Sequence, residues 1–533
     1  MKEFNTTAVC IPGKHYMVDL SERVKEIKML VDAGKYFTIN RARQYGKTTT
    51  LNLLECCLSQ EYYVVSMDFQ DYGDDTFQNA DSFCRDFCSD FCSLLCDRIN
   101  QNNEELKEAI RSLLDLSEND NKQLRLFTMF KGMKKIWDCA DKPIVLLIDE
   151  VDSATNNQLF IDFLAALRSH YLKKEKNTSY KTFQSVVLAG VTDVKHLKSK
   201  IRDEADAKEN SPWNIAADFT IDMSLSEDGI QGMLKEYEAD HHTGMDTEAI
   251  AKQIREYTNG YPFLVSRLCQ LLDKEVSVRM GLAQAWTRSG MDEAIKLLLS
   301  ENNTLFQSLT KNLNNYPVLK ASIRSILMEG VKIPYSPDQS DIVQLEMYGI
   351  IRNDHNTVRV ANRIFETRLY NLFLSDEELK NNVFNRAGDL AKNRFVTDGK
   401  LNMRMILEGF KDTYTEVFGP LKEKFKEKDG REQFLLYLKP IINGTGNYYI
   451  EAQTRDQTRT DVVVDYLGQQ YIVELKIWRG ARYNAEGEQQ ISEYLDHFGL
   501  TAGYMLSFNF NKNKKTGMAQ IHVGDKVLYE MVM

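Results

Sequence analysis

The stretch Phe37–Leu51, FTINRARQYGKTTTL, constrains this chain more than any other. A short apolar run (Tyr36, Phe37, Thr38, Ile39) predicts a buried strand. A polar turn ends in Gly46-Lys47-Thr48, and a helical pattern follows in Leu51, Leu53 and Leu54. A strand that runs through such a turn into a helix offers an anion several backbone N–H groups and the positive end of the helix dipole. In that layout Gly46 shapes the turn and Lys47 reaches the β- and γ-phosphates of a nucleotide. Thr48 ligates Mg²⁺, with Thr49 beside it. The general pattern has a glycine five residues before Gly46. Arg41 stands there instead and is counted with the nucleotide-binding residues.

Pro143–Glu150, PIVLLIDE, supplies the second half of such a site. A short, wholly apolar run is the signature of a central parallel strand. Its C-terminal end is where open α/β sheets bind ligands. Asp149 is expected to hold Mg²⁺ through water, and Glu150 to orient or deprotonate the attacking water. Both halves occur in the usual order, about a hundred residues apart, and predict a site for ATP and Mg²⁺.

At 533 residues the chain is too long for one core. Its 43% apolar and 27% charged content is that of globular protein, and the net charge of −10 leaves nucleic-acid contact to local basic patches. No run of 18 apolar residues occurs, so no membrane partner is expected. The N-terminus lacks the apolar core of a secretion signal. Nine cysteines without framework spacing fit a reducing, cytoplasmic compartment. Four of them, Cys84, Cys88, Cys92 and Cys96, recur every fourth residue among Phe83, Phe87, Phe91 and Leu95. One straight helix cannot wrap a metal tetrahedrally, so this stripe is read as core packing.

Further strands are expected at Tyr62–Phe69, Ser185–Val191 and Phe219–Met223. Helices are expected at Leu20–Ala33, Asp81–Asn100, Glu104–Leu116, Thr128–Ala140 and Gln158–Leu172. Strands alternating with helices predict a parallel sheet covered on both faces. Thr192 or Asp193, directly after the Ser185–Val191 strand, is a candidate γ-phosphate sensor, and Arg168 a candidate sensor or trans-acting arginine.

After residue 224 the pattern turns helical, with Gly260-Tyr261-Pro262 starting a new helix. INRARQYGKTTTL, LLIDE, SPWNIA (Ser211–Ala216) and TNGYPFLVSRLC together resemble the AAA-like ATPase module related to the STAND NTPases. The resemblance implies that Gly260 and Pro262 lie beside the nucleotide base. A helix, Gly349 and two short strands around Asn353–Asn356 describe a winged helix, which in such proteins binds DNA or acts as an internal lever.

The C-terminal region has its own constellation. Arg459–Tyr466 and Tyr471–Trp478 predict a hairpin joined by LGQQ, with Asp461 on its first strand and Glu474 and Lys476 on one face of its second. Charged groups on an otherwise apolar strand are costly to bury without purpose. Asp461 and Glu474 suit metal-dependent phosphodiester hydrolysis, with Lys476 positioning the nucleophile. Asp, then Glu-x-Lys, resembles the PD-(D/E)xK nuclease superfamily. That resemblance adds Glu432, on a flanking helix, to the metal ligands, and places Gln490 and Tyr494, on a following helix, towards the site.

The expected architecture is therefore α/β. A P-loop AAA-like ATPase core (1–224) precedes a helical lid (225–300), a winged helix (301–375), a helical connector (376–429) and a small restriction-endonuclease-like domain (430–533). The resemblance implies a bacterial protein tied to phage or mobile-element conflict. ATP would control a nuclease acting on nucleic acid, DNA before RNA, with a homo-oligomer as one assembly. The alternative is a nucleotide-dependent switch or scaffold whose C-terminal domain binds nucleic acid or a partner without cutting.

Overall fold

The computed structural model describes residues 2–533 except 100–101, 120–122, 192–193, 195–211, 330, 379–382, 398, 420–426, 443–445, 452–460, 468, 478–487, 489–490, 493–494, 497–498 and 512–514. The chain divides into two compact units. One is Met1–Met233 with Met347–Gly349; the other is Leu234–Glu346 with Ile350–Met533.

In the first unit, β1 (Glu3–Phe4) and β2 (His15–Tyr16) form a short parallel pair. The central sheet contains β3 (Phe37–Asn40), β4 (Tyr63–Asp68), β5 (Ile144–Asp149) and β6 (Ser185–Gly190) in the order β3-β6-β5-β4, all parallel. Every residue of β5 is buried, because both faces of the sheet are covered. Alternate β5 side chains enter two cores. Val145 and Leu147 pack with Val24, Ile27, Leu51 and Leu54 on one face. Ile144, Leu146 and Ile148 pack on the other with the helix Ala80–Cys96. There Cys84, Cys88 and Cys92 are buried beside Phe83, Phe87 and Phe91, so the cysteine stripe is core packing. Burial pushes the Cys84 and Cys92 thiols up to about 12.

Phe219–Met223 is not a strand. The backbone there is committed elsewhere: Arg41 donates to Ile221 O (2.8 Å) and lies over the Phe219 ring, which stacks on Phe37. Sheet pairing shrinks to a single bridge between Ala217 and Phe37, with Ala217 N donating to Tyr36 O.

In the second unit, the helices Thr247–Thr258 and Pro262–Leu271 meet at Asn259-Gly260, both left-handed, with Pro262 at the first helical position. β7 (Ile351–Asp354) and β8 (Thr357–Val360) pair antiparallel through the left-handed turn His355-Asn356. A small ribbon follows, β9 (Val396–Thr397) with β10 (Lys400–Leu401). The C-terminal sheet contains β11 (Gly446–Glu451), β12 (Asp461–Tyr466), β13 (Gln469–Ile477), β14 (Ala502–Phe508), β15 (Gly517–Val523) and β16 (Lys526–Val532) in the order β11-β12-β13-β14-β16-β15. It is mixed: β13, β14 and β16 run parallel and the remaining pairs antiparallel. The connection is tighter than the LGQQ expected, because Gln469 and Gln470 already pair with Tyr466 and Asp465.

Candidate functional site

The loop between β3 and the helix Lys47–Leu58 is bent by two left-handed residues, Gln44 (φ 57°) and Gly46 (φ 80°). Arg41 is not among the positive-φ residues, so its position does not require the glycine of the general pattern. Gly46 O accepts from both N and Oγ1 of Thr50, which pins the turn to the first helical turn. Lys47 is buried, and its Nζ donates to the carbonyls of Arg41 (3.0 Å) and Ala42 (3.1 Å), folding the ammonium back over the loop.

Thr48 Oγ1 donates to Asp149 Oδ2 at 2.7 Å, uniting loop and β5 across the sheet although β6 lies between their strands. Glu150 follows in a left-handed conformation (φ 49°), rare for a side chain of its size and a form of strain concentrated at functional sites. Asp149 Oδ1 accepts from Glu150 N (2.9 Å), and Asp152 Oδ2 from Val191 N (2.7 Å), so the ends of β5 and β6 are tied together. Gly190 permits this closeness: a Cβ there would lie 2.8 Å from Val151 Cγ2 and 3.2 Å from Asp152 Oδ2.

Burial holds the Lys47 ammonium below its ordinary pKa, opposed by Glu150, Asp152 and Asp149. Burial likewise raises the Glu150 carboxyl, with Lys47 pulling the other way. Asp68 is raised by burial, and then by Asp149, its register partner across β4 and β5. One lysine and four acids (Asp68, Asp149, Glu150, Asp152) give a formal local charge of −3. Such a cluster of charges can accept a cation together with an anion held by the loop amides. Asp68 and Asp152 escape a reading of the sequence, where one is an ordinary strand-end acid and the other an ordinary acid in the turn beyond β5. The missing information is the parallel register for Asp68 and the closeness of the β5 and β6 ends for Asp152.

The other expected residues are distributed as follows. The Arg41 guanidinium is engaged with Asn40 O, Ile221 O and Phe219, so its side chain braces the loop from outside. The Thr49 hydroxyl accepts from Cys10 N (3.1 Å), anchoring the N-terminal segment. Trp213 of the SPWNIA segment is buried and donates to Thr38 Oγ1 (2.9 Å), behind the loop strand. Thr192 and Asp193 lie outside the described residues. Gly260 and Pro262 belong to the second unit.

On the C-terminal sheet the register makes Asp461 the partner of Glu474, and Lys476 the partner of Ser507. Of Asp461 only the strand position is described. Glu474 is 1% exposed and Lys476 0%. Ser507 and Glu530 are also buried, and Ser507 Oγ donates to Glu530 Oε1 at 2.5 Å. The sequence reading missed this pair, although Glu530 interrupts the apolar β16 as Glu474 interrupts β13. Glu432 lies on the helix Glu427–Ile442 and pairs with Arg324 at 3.3 Å, which engages its carboxylate within the helical part of the unit. Gln490 and Tyr494 lie outside the described residues, while their neighbours Ile491 and Leu495 pack against Val463, Ile472 and Met505.

The profile of one protein family, described as an AAA-like domain, matches residues 13–375. The chain belongs to this AAA-like family. Its first unit is accordingly a P-loop ATPase fold of AAA-like type. Among solved structures, similarity is found to a Walker-type ATPase of Pyrococcus abyssi (14% identity, 69% of this chain and 99% of that one, TM-score 0.43). It is also found to Cdc6p of Pyrobaculum aerophilum (12%, 70% and 97%, 0.32) and to the ORC2 protein of Aeropyrum pernix (13%, 70% and 98%, 0.35). No curated protein matches the chain. No helix among the described residues is long and apolar enough to cross a membrane.

Proposed function

We propose that this AAA-like protein binds and hydrolyses ATP, and that its nucleotide state controls a metal-dependent phosphodiesterase domain at the C-terminus. The observation that carries the ATPase half is the Thr48–Asp149 hydrogen bond, which joins two sequence-distant motifs beside a buried lysine. Lys47 would leave its carbonyl partners for the β- and γ-phosphates, and the loop amides ending at Gly46 would cradle them. Glu150 would orient the attacking water and accept its proton, helped by the upward shift of its carboxyl. Thr48 and Asp149 suit Mg²⁺, which when bound neutralises phosphate charge. Gly260 and Pro262 would contact the base through the lid, and Thr192 would sense the γ-phosphate.

The C-terminal half is read as a PD-(D/E)xK-like nuclease, with the module as a whole STAND-related and bacterial. Its support is the register of Asp461 against Glu474, with Lys476 two residues on. Asp461 and Glu474 are oxygen donors suited to Mg²⁺, which supplies an acidified water and charge neutralisation. Lys476 would position the nucleophile, and Gln490 would line the site. Glu432 would reach a metal only on leaving Arg324.

A second reading is favoured by one observation. Glu474 and Lys476 are almost wholly buried, as expected of a charged network that fixes a core and never meets a phosphodiester. On that reading the protein is a nucleotide-dependent switch or scaffold. Incubating plasmid DNA or RNA with the full chain, Mg²⁺ or Mn²⁺, and ATP separates the two. On the nuclease reading cleavage occurs, stops with chelator, and is lost in Asp461→Ala, Glu474→Ala and Lys476→Ala while ATP hydrolysis persists. Intact nucleic acid under every condition favours the switch.

A further inference from the structure

The second unit contains a cavity of about 760 Å³ that neither the ATPase nor the nuclease reading uses. It lies between the helices Thr304–Asn315 and Arg363–Glu378, and its volume is within the range of ligand-binding clefts. Two cations and no acid are found among its described lining residues, although the whole chain carries a charge of −10.

Arg368 is the more informative cation. Its guanidinium is half-buried, donates to Leu299 O, and lies over the Phe306 ring at 4.9 Å. It forms no ion pair among the described residues, nor does the exposed Lys311 across the cavity. Burial alone holds the Arg368 guanidinium below its ordinary pKa, with no carboxylate to offset it. Glu301 and Asp376, the acids adjoining the lining residues Asn302 and Ser375 in sequence, are paired with bases outside the lining: Glu301 with Arg267 (2.6 Å), and Asp376 with Lys320 (3.1 Å). A partly desolvated guanidinium stacked on an aromatic ring, without a counter-charge, suits a phosphate.

The remaining polar lining narrows the class of ligand. Asn302, Gln307, Asn314, Asn315 and Asn371 line the cavity with side-chain amides, each both donor and acceptor. That combination matches the edges of nucleobases, whereas a simple phosphate site needs only donors. The cavity also leads towards the C-terminal sheet. Tyr448 of β11 donates to Asn371 Oδ1 (3.3 Å), and Lys439 donates to Ser375 Oγ (3.3 Å).

We propose that this amide-lined cleft, with Arg368 and Lys311 as its phosphate-binding cations, is a binding groove for single-stranded nucleic acid. The inference stands apart from cleavage, because binding needs no metal at the C-terminal site.

The test is fluorescence anisotropy with labelled oligothymidylate and the full chain in EDTA. Cleavage is blocked there, so a failure of the nuclease reading leaves this readout untouched. Lys311→Glu, at an exposed position, and Arg368→Gln should each weaken binding on the order of tenfold at low salt. Each should also reduce the slope of log affinity against log salt by roughly 0.7 for every phosphate that is no longer neutralised. Melting curves check that Arg368→Gln still folds; if it does not, Lys311→Glu decides alone. Absence of binding by wild type, or wild-type affinity in a folded variant, overturns the groove. Displacement of the oligonucleotide by inorganic polyphosphate at equal phosphate concentration overturns the nucleic-acid assignment.

Discussion

The hydrogen bond from Tyr257 OH to Asp465 Oδ2 (2.7 Å) joins the last turn of the helix before Gly260 to β12, the strand on which Asp461 lies. Both residues are buried. Burial raises the Asp465 carboxyl above its ordinary pKa, while Tyr257 and Gln470 pull it down. Tyr257→Phe removes one of these donors without changing the shape of the ring. A hydrogen bond to a charged group contributes about 1.5–3 kcal/mol, and the carboxylate left behind remains buried. Because 1.4 kcal/mol is a factor of ten, amides of β12 that exchange by local opening should exchange roughly 10- to 100-fold faster at neutral pH. Hydrogen–deuterium exchange on peptides covering β11 and β12 reads this directly, and does not assume that so long a chain unfolds in two states. The sign of the pH effect is also set. A carboxyl raised in the folded state binds protons more tightly folded than unfolded, so its stability contribution is lost as pH rises from the unfolded towards the folded pKa. Wild type should therefore lose stability relative to Asp465→Asn as pH rises above the ordinary aspartate pKa towards the raised one. Exchange in Tyr257→Phe within twofold of wild type would refute the idea that this hydrogen bond ties β12 to the helix Thr247–Thr258.

Three further outcomes are expected. Gly190→Ala should destabilise the first unit by about 1–3 kcal/mol and lower ATP turnover, since its Cβ meets Val151 and the Asp152 carboxylate; denaturation and steady-state kinetics check both. Cys88→Ala with Cys92→Ala should leave nucleotide affinity unchanged while costing about 1–2 kcal/mol each, measured by chemical denaturation; a large loss of affinity instead would place the stripe within the site. Glu150→Gln should bind ATP as wild type does and hydrolyse it on the order of a hundredfold more slowly in single-turnover assays; unchanged turnover would remove Glu150 from the reaction.

How much is legible in the sequence depends on whether a feature is local. The strand–turn–helix at Phe37–Leu51 and the wholly buried β5 can be read because each is written in consecutive residues. The hairpin of β12 and β13 is legible for the same reason, apart from the length of its loop. What escapes is set by pairing between distant segments. Arg41 looks like a departure in the phosphate loop, and its role becomes clear only with Ile221 and Phe219 in place. Those same interactions remove the strand expected at Phe219–Met223. The Thr49 hydroxyl reads as part of the nucleotide site, but the N-terminal segment around Cys10 engages it. Asp68 joins the site through the register of parallel strands and Asp152 through its hydrogen bond from Val191 N, neither of which has a local signature. Ser507 and Glu530 join the buried polar row beside Lys476 in the same way.

The central claim, that the Gly46–Thr48 loop and Asp149 form a nucleotide site, is tested most directly by calorimetric titration of ATP with Mg²⁺ into wild type and Lys47→Ala. The buried Lys47 ammonium sits within the field of Glu150, Asp152 and Asp149 and offsets part of their charge. Its removal leaves the phosphates facing those carboxylates without it. Saturable binding by wild type with no measurable heat in a folded Lys47→Ala is the predicted result. Equal affinity in the two proteins contradicts it.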